Sequence, residues 1–355
     1  MKERKSNIEL LRIVAMLMII TAHMMFHGVL AEPVLNRFNE TQFVAQLASI
    51  GGKVGVGIFV VVTGYFNVKK DKINFKSLGK LWGITFFYST GLALLTYALG
   101  INEFKIAVFT KMLLPVITNQ YWFVTYYMLL MFISPIINRL IMRLDKRIKI
   151  FLATIVMMVW FLLPTVSGLL LNKMIIVPHP FIVFVLYYVI GACIKLYGNS
   201  LVTSKKIYFT VGAVSVVGYI MGVVYFERLA IMNQSKYVWW MASQLSDSHS
   251  PFVLGMTISL FCIFLNLNIG YVKEINVVSA SVVSVYLIHE HNFIRPLLWH
   301  RIFEFSGLLD KSFLSLILFT IVSVSMIFTL SFLIDRIRKI IIQAISDDVS
   351  TRESI

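Results

Sequence analysis

An all-α bundle of about ten membrane-spanning helices is the fold the sequence predicts, and three features predict it. The chain has 355 residues, 58% of them hydrophobic and only 14% charged, where a soluble globular domain carries about 25% charged residues. Its mean hydropathy is +0.83. Apolar runs of about 20 residues, each long enough to cross a hydrocarbon core of about 30 Å, recur along the whole chain. Inside lipid a backbone has to satisfy its own amides, so these runs are helices. The short alternating segments of a transmembrane barrel do not occur.

Spans are expected near residues 8–28, 45–66, 79–99, 121–142, 150–171, 180–197, 207–226, 251–268, 277–294 and 313–334. The partly apolar stretch Ile106–Ile117 suits an amphipathic helix lying in the interface. The first span has the outline of a signal peptide, with basic residues before it and Val29-Leu30-Ala31 after it. Its long apolar region contains Arg12 and His23, so it is expected to persist as the first helix. Basic residues set the orientation. They concentrate at Lys2, Arg4 and Lys5, at Lys69, Lys70, Lys72, Lys76 and Lys80, at Arg143, Lys146, Arg147 and Lys149, and at Arg336, Arg338 and Lys339. Connections of the other parity are poorer, with Arg37 alone in the first, Lys105 and Lys111 in the third and Lys173 in the fifth. The positive-inside rule therefore puts both termini in the cytoplasm, which agrees with an even number of spans. Residues 1–340 read as one membrane domain and 341–355 as a short charged cytoplasmic tail, with no internal repeat and no low-complexity tract.

The net charge of +15 belongs to these loops. No basic stretch interleaved with aromatics occurs in a soluble segment, which argues against a nucleic-acid partner. Cys193 and Cys262 both fall inside expected spans and form neither a disulfide framework nor a metal-ligand spacing.

Ionisable residues inside spans are costly and mark functional sites. The first span holds Glu9, Arg12, His23 and His27. Arg12 and His23 are eleven residues apart, which on a helix is three turns plus about 20° and about 16 Å of rise, so they share a face. His27 continues that face four residues on. Arg12 alone would read as a snorkelling or Glu9-paired arginine, and His23 alone as a satisfied interhelical hydrogen bond. The shared face is what points to function. All seven histidines, His23, His27, His179, His249, His289, His291 and His300, are expected toward the outer side, opposite the basic clusters. Proton-transfer chemistry near the outer face would suit an imidazole, whose unperturbed pKa is about 6.5.

His289-Glu290-His291 invites a metal reading, but residues two apart on a helix point about 200° apart and cannot easily share one ion. No metal is expected. Gly51, Gly52, Gly55, Gly57 and Gly64 suit close helix–helix approach rather than nucleotide binding, since no βαβ unit surrounds them. Tyr121, Trp122, Phe123, Tyr126 and Tyr127 read as an interfacial aromatic belt that can also stack on a sugar.

Several segments together resemble the acyltransferase 3 family of integral-membrane acyltransferases, particularly members that modify surface polysaccharides in low-GC Gram-positive bacteria. They are Ser6-Asn7-Ile8-Glu9-Leu10-Leu11-Arg12-Ile13 followed by His23, Gly55-Val56-Gly57-Ile58-Phe59 leading into Thr63-Gly64-Tyr65, Tyr121-Trp122-Phe123 through Ser134-Pro135-Ile136-Ile137-Asn138, Tyr187 to Gly191, and Ser284-Val285-Tyr286-Leu287-Ile288-His289. The resemblance runs from about residue 5 to about 335. It implies transfer of an acyl group, usually acetyl from cytoplasmic acetyl-CoA, to a hydroxyl of a glycan or lipid-linked sugar. It implies His23 as the catalytic imidazole, acting as general base or as a covalent relay, with Arg12 handling the donor. The family's arginine pair after the second span is replaced by Lys76 and Lys80, which can still hold phosphates as point charges. Thr63 stands where the family usually has serine. His289 and Glu290 are further catalytic candidates, and His27, Trp122, Tyr126, Tyr286 and Arg295 are candidates for the acceptor side.

The expected partners are the glycan acceptor, the lipid bilayer and polysaccharide-assembly membrane proteins, in a bacterial plasma membrane. With no hydrolase-like domain after the last span, the membrane domain is expected to meet the acceptor itself. A glycolipid flippase or small-molecule transporter is the alternative. It predicts substrate movement without consumption of acetyl-CoA. A purely structural membrane subunit would leave Arg12 and His23 replaceable.

Overall fold

The apolar runs do become helices: 80% of the chain is helical, and no strand occurs among the described residues. A computed structural model describes residues 5–171, 178–198, 202–303, 305 and 307–352. Lys2, Arg4 and Lys173, which contributed to the expected orientation, lie outside these residues.

Helix α1 (Ser6–Met24) starts directly after Lys5, and its last turn widens into a π-helix at Met25–Val29. Helices α2 (Glu40–Ser49) and α3 (Gly51–Asn67) form one nearly continuous rod. Asn39 caps it by accepting a hydrogen bond from the amide of Gln42. The chain continues through α4 (Phe75–Ala98), the short α5 (Ile106–Leu113) and α6 (Trp122–Arg143). It then runs through α7 (Lys146–Met157), a π turn at Met158–Leu162, α8 (Leu163–Leu171) and α9 (Pro180–Tyr197). The second half contains α10 (Lys205–Asn233), α11 (Lys236–Gln244), α12 (Pro251–Leu265), α13 (Lys273–Ser279), α14 (Val282–His289), α15 (Ile294–Leu297) and α16 (Phe313–Arg352).

Seven helices are long and apolar enough to cross a membrane: Ser6–Val29, Glu40–Asn67, Phe75–Ala98, Trp122–Arg143, Pro180–Tyr197, Lys205–Asn233 and Phe313–Ala344. The sequence reading had ten, and the other three differ for local reasons. The fifth expected span is helical over 146–171 but is interrupted by the π turn at Met158–Leu162. The eighth stops after 15 residues, where the Asn266 side chain turns back to the carbonyls of Cys262 and Val202. The ninth is divided at Ala280-Ser281, whose carbonyl and hydroxyl both meet the ammonium of Lys339. Non-helical backbone at membrane depth is tolerated where protein groups satisfy it in this way.

Helix α3 lies at the centre, packed against α1, α9 and α12. In the α2–α3 rod 72% of the apolar window is buried, against 22% in α10 and 22% in α16. The rod is therefore core and those two helices are periphery. Glycine makes the centre possible. A Cβ on Gly64 would fall on the carbonyl of Tyr188, and one on Gly191 would fall on the carbonyl of Val61, so α3 and α9 touch backbone to backbone. Small residues permit this approach in membranes, where dispersion has to replace a hydrophobic driving force.

The polar residues at the start of α1 anchor it. Asn7 donates to the carbonyls of Phe264, Leu265 and Leu267, and the Ser6 hydroxyl accepts from the Val272 amide and from Asn276. At the far end of α3, Asn138 donates to the carbonyls of Asn67 and Lys70 and accepts from Tyr188. The Lys69–Lys70 turn is thereby fixed beside α6 and α9.

Replacing Gly64 or Gly191 by valine is expected to cost about 1–3 kcal/mol or more through overpacking. The check is the thermal midpoint of detergent-solubilised protein, which should fall for both variants and stay unchanged for Gly79→Ala, where a Cβ meets nothing within 4 Å.

Candidate active site

The broken ninth span ends α14 at His289 and turns the chain at Glu290, opposite the last turns of α1. His23, His289 and Glu290, separated by more than 260 residues of chain, come together there with one side-chain N or O atom of each within 4.8 Å of the others. Nδ1 of His23 is hydrogen-bonded to Nε2 of His289 at 3.1 Å. It also lies 3.1 Å from Oε1 of Glu290, a charge contact without an aligned hydrogen bond. His27 approaches the same carboxylate oxygen at 3.8 Å, and Arg295 faces the other oxygen at 3.5 Å.

Proton accounting fixes the tautomers. Nδ1 of His289 lies 2.7 Å from the carbonyl of Val285. A carbonyl only accepts, so this nitrogen carries the proton and neutral His289 presents a bare Nε2. The shared hydrogen bond is then donated by His23 from Nδ1. Nε2 of His23 is left with the free lone pair, and it has no hydrogen-bond partner among the described residues. If that nitrogen takes a proton, the resulting imidazolium sits beside the Glu290 carboxylate.

His291 points elsewhere because the helix has ended and the chain turns at Glu290, not through the helical spacing expected from the sequence. Its Nε2 donates to the carbonyl of Ser89, and its Nδ1 accepts from the amide of Phe293. It pins the end of α14 to α4. Tyr286 is buried with its ring against His289, Tyr121 and Phe123. The hydroxyl of Tyr121 donates to the carbonyl of Leu287 and braces α14 from α6.

Toward the N-terminal face, Arg12 lies at the junction of two chambers. The outer of these, a mouth of about 690 Å³, is lined by Lys5, Arg12, Lys69, Lys70 and Lys195, with Glu9 the one acidic residue in its wall. Glu9 is already engaged, paired with Arg12 at 3.1 Å and accepting from the hydroxyl of Ser279. Lys195 also lies 4.8 Å from the ring centre of Tyr65 in that wall. Beyond Arg12 a narrow chamber of about 170 Å³ continues between Phe59, Thr63, Leu81, Phe123, Tyr127 and Val282. Its far wall, Phe123, packs on Tyr286 and so reaches the His289 side of the centre.

The candidates named from the sequence thus separate into groups. His23, His289, Glu290, His27 and Arg295 converge, with Tyr286 against them. Arg12 lines both chambers. Lys76 and Lys80 are exposed in the first turns of α4, outside the residues that line the mouth. Trp122 and Tyr126 turn toward Phe184 and, for Tyr126, toward His179, in an aromatic cluster of their own.

Sequence reasoning missed Lys53. It sits inside the glycine-rich run of α3, 4.8 Å from the ring centre of Trp122 and within electrostatic reach of His23 and Asp247. Asp247 in turn holds the amide and hydroxyl of Ser248 and faces His249 at 3.5 Å. A lysine in an apolar run was a usable signal. Of the mouth's cations, Arg12 was visible as a charge inside a span and Lys5, Lys69 and Lys70 as members of basic stretches, while Lys195, within α9, was not singled out.

A histidine–carboxylate centre buried among apolar helices, with a cation-lined mouth toward the other end of α1, fits a polytopic membrane enzyme. The chain matches the acyltransferase 3 family, described as an acyltransferase domain, over residues 5–336, and it belongs to that family. No curated protein and no solved structure matches it.

His23, His289 and Glu290 also form a set that could hold a metal ion. The hydrogen-bonded arrangement works with imidazoles and carboxylate alone. Purified protein treated with a strong chelator is expected to keep its transfer activity, and elemental analysis should find less than one metal per chain. Activity lost on chelation and restored by a divalent ion would replace this scheme.

Proposed function

We propose that this membrane acyltransferase is an O-acetyltransferase. It takes acetyl from cytoplasmic acetyl-CoA and delivers it to a hydroxyl of a cell-surface polysaccharide or its lipid-linked precursor, in a bacterial plasma membrane with both termini cytoplasmic. The observation that carries this reading is the alignment along α1 of a basic mouth, a narrow chamber and an acid–base centre. The mouth suits phosphates, since several lysines and Arg12 converge on it with one acid already neutralised. The narrow chamber suits an extended, weakly polar arm, being walled by Phe59, Leu81, Phe123 and Val282. The axial rise of about 16 Å from Arg12 to His23 is the distance that arm has to cover.

At the centre, Nε2 of His23 removes the proton of the acceptor hydroxyl as its oxygen attacks the thioester carbonyl. Glu290 stabilises the imidazolium that forms, and His289 holds the ring's orientation through Nδ1. The C–S bond then breaks, and the imidazolium returns its proton to the departing thiolate. General-base catalysis of this kind contributes about 10²–10⁴-fold. Shielding from bulk water by the surrounding helices protects the thioester from hydrolysis.

Two outcomes are expected. In cells, proton NMR of surface polysaccharide should show O-acetyl signals lost on gene deletion and in His23→Ala, with the polymer still exported. Full acetylation in His23→Ala would remove His23 from the mechanism, and missing polymer in the deletion would favour a flippase. On the donor side, Lys69→Gln/Lys70→Gln/Lys195→Gln should raise KM for acetyl-CoA about tenfold or more, given that a charge-assisted contact contributes about 1.5–3 kcal/mol. Lys76→Gln/Lys80→Gln should change it far less. The reverse ranking would move the phosphate site to the start of α4.

A further inference from the structure

A third chamber lies at the other end of α1, and the donor chemistry above does not use it. It measures about 610 Å³, within the range of about 300–1,000 Å³ typical of small-ligand sites. Two π-helical turns frame it, Met25–Val29 carrying His27 and Leu298–Ile302 carrying His300 and Arg301, and the two are in contact. Single π turns are rare and concentrate at functional sites. The chamber adjoins the π turn that carries His27. Its wall includes Gly28, one residue after the His27 that faces Glu290, and the ring of Phe305 lies so close over Gly28 that a Cβ there would sit 2.6 Å from it.

The wall chemistry is specific. Trp299 is 1% exposed, and its indole Nε1 has no hydrogen-bond partner. Its ring packs against Phe303 and Phe305 at 6.3 and 6.2 Å. Nε1 has almost no accessible surface, so Trp299 offers the chamber its ring and not its N–H. Among the described residues Glu32, Asp310, His300 and Arg301 line the chamber, and Asp310 lies 3.6 Å from Arg37 just outside. Carboxylates in such a wall accept hydrogen bonds from hydroxyls and repel anions.

We infer that this chamber seats an uncharged sugar residue of the acceptor glycan, held through its hydroxyls by Glu32, Asp310 and Arg301 and through its apolar face by the Trp299–Phe303–Phe305 wall. A further hydroxyl of the same glycan is then carried past His27 to His23. The inference rests on the proposed transferase function and narrows it: the acceptor is a neutral polyhydroxyl segment, and polymers of uronate or phosphodiester units are excluded.

The test separates binding from transfer. Full-length protein in lipid nanodiscs is titrated with cellotetraose, with the tetramer of N-acetylglucosamine and with tetragalacturonate, and binding is followed by saturation-transfer NMR. At least one neutral tetrasaccharide is expected to bind and tetragalacturonate is not. Glu32→Lys, at an exposed position, should weaken neutral binding about tenfold, and Asp310→Asn should weaken it in the same direction. Equal or tighter binding of tetragalacturonate, no binding of either neutral sugar, or Glu32→Lys without effect would each overturn the assignment. Sugar binding that responds to these variants in a protein that transfers no acetyl would instead sink the transferase reading and leave the chamber standing.

Discussion

The hydrogen bond between Nδ1 of His289 and the carbonyl of Val285 is the constraint on which the rest of the site depends. It is local, four residues along one short helix, yet it decides which nitrogen of a second histidine, on a helix 266 residues away in the chain, is free to act as a base. In water an imidazole exchanges tautomers freely. Here the backbone carbonyl of Val285 selects one of them. Glu290, with no aligned hydrogen bond on Oε1, waits beside the ring for the charge that proton transfer would create.

That geometry needs α14 to stop inside the bundle, and the packing explains why it can. The helix is braced by Tyr121 on one side and by His291 on Ser89 at its end. At its start, Ser284 and Tyr88 both donate to Asp335, which is also paired with Arg338 and Lys339. This buried polar node ties α4, α14 and α16 together, with Oδ1 of Asp335 accepting hydrogen bonds and Oδ2 held by the charge of Lys339. On the opposite flank, Gly52 and Gly55 bring α3 against Ala22 and Ala15 of α1, the helix that carries His23.

Much of this was legible in the sequence, and the part that was not has physical reasons. Helical periodicity placed Arg12, His23 and His27 on one face of α1, and the structure keeps them there. His289 and His291 do diverge, but because α14 ends at His289 and the chain turns at Glu290, not because both lie on one helix. The partnership of His23 with His289 and Glu290 is a tertiary contact that no spacing encodes. Hydropathy reads Ala280-Ser281 and Met158–Leu162 as apolar continuity, whereas the helix is divided at the first and widened into a π turn at the second. Lys76 and Lys80 were chosen by their place in a motif, while the mouth is built by Lys69, Lys70 and Lys195, brought together by the Asn138 bridge and the close approach of α9 to α3. The π turns at Met25–Val29 and Leu298–Ile302 leave no local sequence signature that propensity can detect.

The most direct test of this account is the protonation pattern of His23 itself. Nitrogen-15 NMR of histidine-labelled protein in nanodiscs, with the His23 signals assigned by their loss in His23→Ala, reports which ring nitrogen carries the proton. The hydrogen-bond chain from Val285 through His289 predicts a protonated Nδ1 and a bare Nε2 at neutral pH, and a return to exchanging tautomers in His289→Ala. A bare Nδ1 with a protonated Nε2 in the unaltered protein would contradict it, since the free lone pair would then face Glu290 and no base would be presented to an acceptor hydroxyl.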